Sequence, residues 1–174
     1  NARSLLTKIE LPQVPAVLPG SEQPVNHRPT LTFEYDEMGN RTVETSALGN
    51  AVDPDGYKIE YEYDRLGRLL KTIAKATDPF TGEKEVIVTK HYYDPAGNRI
   101  KTVDPNNGEW KYDYSARGWL VREEDPEGNV TRYRYDRVGN KTHETDPRGS
   151  ENRDAFTTIH HYDDLNRLYL TEFP

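Results

Sequence analysis

The chain has 174 residues, a net charge of −7, one-third hydrophobic residues and a mean hydropathy of −0.97. That balance disfavours nonspecific nucleic-acid binding, and no apolar run approaches the roughly 20 residues of a membrane span. Zero Cys removes disulfides and cysteine-ligated metal sites, while 12 Tyr and 2 Trp argue against disorder and shift apolar burial onto aromatic rings.

The chain opens Asn1-Ala2-Arg3, with neither an initiator Met nor a leader, and is expected to be a piece of a longer protein. Residues 1–30 hold five of the 12 Pro, at Pro12, Pro15, Pro19, Pro24 and Pro29. Arg3-Ser4-Leu5-Leu6-Thr7-Lys8-Ile9 resembles Arg68-Leu69-Leu70-Lys71-Thr72-Ile73. Residues 3–11 are therefore predicted as the second strand of a partial preceding repeat, and residues 12–30 as a proline-stiffened extended connection.

From residue 31 to 174 one signal recurs six times: Tyr35-Asp36 with Gly39, Tyr63-Asp64 with Gly67, Tyr93-Asp94 with Gly97, Tyr114-Ser115 with Gly118, Tyr135-Asp136 with Gly139, and Tyr162-Asp163 with Asn166. A second signal alternates with it: Asp53-Pro54-Asp55-Gly56, Asp78-Pro79 with Gly82, Asp104-Pro105 with Gly108, Asp125-Pro126-Glu127-Gly128 and Asp146-Pro147-Arg148-Gly149. Tyr93 to Tyr114 and Tyr114 to Tyr135 are both 21 residues, each split 11 and 10 by the Asp-Pro. The other intervals, 28, 30 and 27, carry insertions expected near the Asp-Pro tips, around 47–52, 80–85 and 150–156.

Each unit reads as a hairpin. Ahead of each Tyr-Asp, aromatic and charged residues alternate, as in Glu109-Trp110-Lys111-Tyr112-Asp113-Tyr114. Period 2 describes a half-buried strand with rings on one face. Asp caps the turn that follows, Gly takes the positive φ after it, and Asn166 is the best substitute for that Gly. A second strand such as Ile100-Lys101-Thr102-Val103 then runs to Asp-Pro-x-Gly, where Pro sets φ.

Chemistry is sparse. His91 and His160 fall two residues before Tyr93 and Tyr162, where other units carry Phe33, Tyr61, Tyr112 and Tyr133, so they read as ring-bearing lining residues. His160 and His161 are neighbours in a strand and point to opposite faces, which suits no single metal ion. Most Asp are accounted for as turn caps, and the Asp-Pro loops lack the further ligands of a calcium loop. No P-loop, nucleophile elbow, zinc-protease or dinucleotide fingerprint is present, so no catalytic, cofactor or metal residue is expected. Trp110, Tyr112 and Trp119, with Tyr114, form the densest aromatic cluster; exposed rings there would stack on sugars.

The repeated Tyr-Asp-x-x-Gly-(Arg/Asn), with Asp-Pro-x-Gly between, resembles the YD-repeat or RHS-repeat family over residues 31–174. Ser115, Trp119 and Asn166 depart from its pattern. The resemblance implies an all-β fold of consecutive antiparallel hairpins in a curved, spiralling strip. It implies a non-catalytic segment of a secreted or surface bacterial protein, in which RHS strips close into a shell around a C-terminal toxin domain. Its partners would be the rest of that array and the enclosed domain. The alternative is a module that binds carbohydrate or a cell surface through the aromatic strands.

Overall fold

A computed structural model describes residues 5–16, 25–47, 57–78, 81–150 and 156–174. Its strands are β1 (Lys8–Glu10), β2 (Val14–Ala16), β3 (Val25–His27), β4 (Thr30–Tyr35), β5 (Arg41–Thr45), β6 (Lys58–Tyr63), β7 (Leu69–Thr77), β8 (Lys84–Tyr93), β9 (Arg99–Val103), β10 (Glu109–Tyr114), β11 (Leu120–Glu124), β12 (Val130–Tyr135), β13 (Lys141–Thr145), β14 (Thr157–Tyr162) and β15 (Leu168–Glu172). Thirteen form one open sheet in the order β1-β4-β5-β6-β7-β8-β9-β10-β11-β12-β13-β14-β15, and β2 pairs β3 separately. The fold is all-β, built of consecutive antiparallel hairpins. Paired strands follow chain order and every pair is antiparallel, the arrangement in which a turn is enough to join neighbours.

The chain divides into two units, residues 1–90 and 91–174. In the first, β1 pairs β4 from Lys8 opposite Thr32 to Glu10 opposite Thr30. The hairpins β4–β5 and β6–β7 follow, and β7 continues against β8 over seven paired residues. In the second, β10–β11, β12–β13 and β14–β15 are hairpins of four paired residues each.

Two expectations need correction here. Residues 12–30 are not one extended connection, because β2 and β3 close an antiparallel ribbon with Pro15 opposite Asn26. Proline is tolerated there because a two-stranded ribbon has an outer edge that needs no N–H. The extra length between Tyr63 and Tyr93 does not sit at the turn tip either. It lengthens β7 and β8 to 9 and 10 residues, since the β-branched run Val86, Ile87 and Val88 suits an extended backbone and keeps the ladder going.

The sheet has almost no core. Among the described residues only Phe33, Thr45 and Thr145 are buried, and no side chain is fully buried. On β10 exposure alternates strictly: Trp110, Tyr112 and Tyr114 are half-buried, and Glu109, Lys111 and Asp113 are exposed. On the charged face like charges stand directly opposite each other, Lys58 across from Lys75 and Lys101 across from Lys111. Carboxylates separate them. Glu60 takes both Lys58 and Lys75 at 2.9 Å, Glu109 takes Lys101 at 2.9 Å, and Glu124 takes Lys111 at 2.9 Å. Each such surface pair contributes only about 0–1 kcal/mol. Their role is to keep the register free of repulsion.

Candidate functional site: the Tyr-Asp turns

Five of the six recurring turns are built the same way; in the other, at Asp136, Gly139 N donates to the carboxylate Oδ1 at 2.9 Å in place of the carbonyl. Asp36 N donates to Asn40 O at 2.9 Å, and Gly39 N donates to Asp36 O at 3.0 Å. The same two bonds recur at Asp64, Asp94, Ser115 and Asp163. Gly39, Gly67, Gly97, Gly118 and Gly139 all have positive φ, and Asn166 takes φ 60° in the sixth turn. This is a type I turn closed by a left-handed residue, which forces one extra residue into the strand that follows. Thus Glu34 opposes Val43 while Tyr35 opposes Arg41, leaving Thr42 over; Leu70, Val121, Thr142 and Tyr169 are left over in the same way.

The aspartate does more than cap. Asp36 Oδ1 accepts from Met38 N at 3.0 Å and Asn40 N at 2.8 Å, and its Oδ2 accepts from Asn40 Nδ2 at 2.8 Å. Asp64 holds Arg68 by backbone and by Nε at 2.6 Å, and Asp163 holds Arg167 by backbone and by Nε at 2.8 Å. The residue after Gly is therefore Asn or Arg because it must return a side-chain donor to the second carboxylate oxygen. The side-chain amides of Asn40 and Asn98 hold Asp36 and Asp94 below the usual carboxylate range, and the Arg68 backbone N–H does the same for Asp64. Ser115 has one oxygen and caps only Trp119 N, at 3.1 Å, which frees residue 119 from this duty.

The tyrosine reaches the preceding hairpin. Between hairpins the ladder stops three residues before each Tyr: Val43 opposes Glu60, Lys101 opposes Lys111 and His143 opposes Ile159, with nothing paired beyond. The hydroxyl spans that gap. Tyr63 donates to Arg41 O at 2.9 Å, Tyr114 to Arg99 O at 3.1 Å, Tyr162 to Lys141 O at 3.1 Å and Tyr35 to Leu6 O at 2.7 Å. Every acceptor stands just before or at the start of a second strand, where the ladder offers no partner. Burial pushes the phenols of Tyr63 and Tyr114 above their usual range, so both remain donors. The ring two residues earlier leans the same way: Tyr133 donates to Glu123 Oε2 at 3.1 Å, and Arg41 lies over Tyr61 at 5.2 Å. With imidazole in that place, His91 Nδ1 meets Thr102 Oγ1 at 3.1 Å and His160 Nδ1 meets Thr171 Oγ1 at 3.3 Å. His161 faces the other way, its Nε2 at 3.2 Å from Glu172 Oε1 but outside hydrogen-bond geometry.

The Asp-Pro ends differ from expectation at three points. Ser46, 11 residues after Tyr35 as Asp104 is after Tyr93, anchors the β5–β6 loop by donating its N–H to Tyr57 O at 3.0 Å. Asp53-Pro54-Asp55-Gly56 lies outside the described residues. In the loop at Asp104 the left-handed position belongs to Asn107, φ 65°, and not to Gly108. Gly108 is needed for space: a Cβ there would stand 2.4 Å from Asp104 Oδ2 and 2.9 Å from Pro126 Cγ. After Asp146 the chain enters a 3-10 turn, Pro147–Ser150, before Phe156 O accepts from Asp146 N at 2.9 Å.

The aromatic cluster is engaged with its own neighbours. Arg99 lies over Tyr112 at 5.3 Å, and Tyr114 is tied to Arg99 O. Trp119 stacks at 5.4 Å on Tyr135, under Arg117 at 5.2 Å, with a Cβ on Gly139 only 3.1 Å from its ring. Trp110 stands opposite Thr102 at the far end of β10 from the Tyr-Asp turn. A depression of about 600 Å³ lies between the turns at Asp94 and Ser115, lined by Tyr112 and Tyr114 but by neither Trp. Among the described residues no three His, Asp or Glu side chains gather as a metal site.

A family model of the RHS repeat matches residues 93–127 and again 114–151. Residues 93–151 carry RHS repeats. The overlap of the two matches reflects the 21-residue step, and the longer intervals on either side of them are where insertions interrupt it. Solved structures share the fold over a greater span. A crystal structure of TcdB2-TccC3-Cdc42 is 20% identical with a TM-score of 0.62, over 86% of this chain and 7% of that one. A Photorhabdus luminescens Tc holotoxin pore carrying a TccC3 mutation is 20% identical with a TM-score of 0.62, over 84% and 7%. A crystal structure of TcdB2-TccC3-TEV is 16% identical with a TM-score of 0.54, over 83% and 8%. At these identities the likeness is one of fold. The chain spans less than a tenth of the length of those chains. No curated protein matches it in sequence.

Proposed function

We propose that the chain is a wall segment of a longer secreted or surface RHS-repeat protein, without catalytic activity, in a shell that encloses or presents a C-terminal toxin domain. One observation carries this reading. Four of the six repeat tyrosines, Tyr35, Tyr63, Tyr114 and Tyr162, donate to a carbonyl of the strands before their own hairpin, in a sheet whose described residues bury almost no side chain. Such a sheet is completed only by continuing, which is the logic of a repeat array. Of the residues that would attract a search for catalysis, the aspartates of the Tyr-Asp turns are caps, and His91 and His160 are cross-strand partners of Thr102 and Thr171. Cryo-electron microscopy of the longer protein tests the reading. The expected map places these strands side by side in the wall of a closed shell; a freely extended arm would contradict it.

The glycan reading stays second. It rests on Trp110, Tyr112 and Trp119, all half-buried, with Arg99 over Tyr112 and Arg117 over Trp119. Calorimetric titration with sugars, with Trp110→Ala as control, decides it: heat that is lost in the variant supports binding, and no heat with either protein removes it.

A further inference from the structure

The charged face changes character across β11, β12 and β13, all in the second unit. Arg122 stands opposite Arg132, and Arg134 stands opposite His143. Sheet alternation puts the four on one face, about 5 Å apart across the strands and about 7 Å apart along β12. Arg122 is compensated: it donates to Asp113 Oδ2 at 3.3 Å and to Glu124, which Lys111 also holds at 2.9 Å. Among the described residues no carboxylate pairs with Arg132 or Arg134. On the far side Glu172 is held off, since Ile159 stands between it and His143 and its Oε1 lies 3.2 Å from His161 Nε2. His143 is half-buried, with Nδ1 3.0 Å from Thr142 Oγ1. Burial first, then Arg134, His161 and His160, hold it below the usual imidazole range, so it adds no charge at pH 7. Like charges directly opposite each other in a sheet repel. In the first unit a carboxylate stands between such neighbours, as Glu60 does between Lys58 and Lys75. A chain of net charge −7 does not lack acids for the purpose, yet none of the described ones is placed at Arg132 and Arg134.

We infer that Arg132 and Arg134, with His143 beside them, bind a tetrahedral dianion, the class of a phosphate or sulfate group. Two observations select this ligand. The first is charge. Two guanidinium groups without an ion-pair partner carry two positive charges, which one dianion neutralises and one carboxylate does not. The second is placement. Three side chains with N–H donors stand at the corners of a triangle of about 5 by 7 Å, two on β12 and one on β13. Long arms from three corners close on one tetrahedral group, each giving a donor to a different oxygen, whereas a carboxylate has only two oxygens to share. In the tautomer whose Nδ1 accepts from the Thr142 hydroxyl, His143 Nε2 carries the proton it would donate. Arg134 is exposed and Arg132 half-buried, so the ligand stays in contact with water and the affinity is expected to be on the order of a millimolar. None of this requires a shell, so the site stands or falls apart from the reading above.

Sulfate is the first probe, because it stays dianionic throughout the range in which a histidine titrates. The histidine resonances of the 174-residue chain are followed by NMR in sodium sulfate and in sodium chloride at matched ionic strength. Sulfate is expected to move the titration of His143 to higher pH, and chloride to leave it in place. Sulfate affinity is expected to rise about threefold or more as pH falls from about 7.5 to about 5 and His143 gains its proton. His143→Gln keeps the binding and abolishes that rise. Arg132→Gln and Arg134→Gln are each expected to weaken binding about tenfold. Lys90→Gln, which removes an equal charge from the exposed surface of the first unit, leaves it unchanged. Should an arginine variant lose its far-ultraviolet β signature, the sulfate and chloride comparison on the unaltered chain still decides. Inorganic phosphate and O-phosphoserine at pH 7.5 then separate the sources: equal binding of both assigns a group carried on a larger molecule, and phosphate alone assigns the free ion. An equal response to chloride, full binding by both arginine variants, an equal loss in Lys90→Gln, or binding only to a long polyanion such as dextran sulfate overturns the inference.

Discussion

The tyrosine of the repeat is a hydrogen-bond donor before it is a hydrophobe. Removing the hydroxyl in Tyr63→Phe or Tyr114→Phe leaves the ring and strands the carbonyl of Arg41 or Arg99. Each change is expected to cost about 0.5–1.5 kcal/mol, read from urea unfolding, with little change in the far-ultraviolet spectrum. A loss within error for both would mean that water serves those carbonyls equally well. Gly139→Ala is expected to cost more, about 1–3 kcal/mol. It combines a φ of 103° with a Cβ 3.1 Å from the Trp119 ring, and Trp fluorescence should report the displacement. The turn aspartates also set a pH dependence. Hydrogen bonds to the carboxylates of Asp36, Asp64, Asp94 and Asp163 lower their folded-state pKa, and the Arg148 guanidinium takes Asp146 to about 2. A depressed carboxylate stabilises the fold fully above its unfolded value, about 3.9, and loses that contribution as pH falls through the folded one. Stability is therefore expected to be level from pH 7 to about 5 and to fall steadily below about 4; a drop already complete at pH 5 would contradict the assignment.

At the level of the hairpin, the ladders are unequal. β7 is paired over six residues with β6 and seven with β8, whereas β15 has one described neighbour. Amide exchange is expected to be slowest in β7 and faster at β15 by about tenfold or more, as measured by hydrogen–deuterium exchange. Equal rates would show that the array opens as a single body. The turns themselves were legible in the sequence, because Asp and Gly at fixed offsets are local chemistry: Asn166 in the left-handed position could be read from its spacing to Tyr162 alone. What was not legible depends on partners distant in sequence. Ser46 anchors its loop only because Tyr57 returns to meet it, and the nearby Asp53-Pro54 resembles the signal more closely. Asn107 and Gly108 are both permissive residues, so only the position of Asp104 and Pro126 decides which of them turns left and which must lack a Cβ. The contacts of Trp119 were equally hidden, because Tyr135, whose ring lies 5.4 Å from its own, belongs to a strand 16 residues further on.

For the molecule as a whole, the account makes the structure a sum of hairpins and the ties between them. Composition follows from that. A sheet without a core needs few aliphatics, and its charged face needs carboxylates between like-charged neighbours, which is consistent with a net charge of −7 on so polar a chain. It also follows that the register, and not any single residue, is what the chain must preserve. The most direct measurement is thermal and far-ultraviolet unfolding of two internal deletions. Removing residues 94–114 takes out one whole 21-residue step and rejoins Tyr93 to the turn at Ser115. Removing 94–103 takes out a turn and β9 alone, and reverses the direction of every strand that follows. The account predicts that the first deletion keeps a cooperative β-sheet transition with a modestly lowered midpoint, while the second abolishes it. Loss of the transition in both, or its survival in both, would contradict the account.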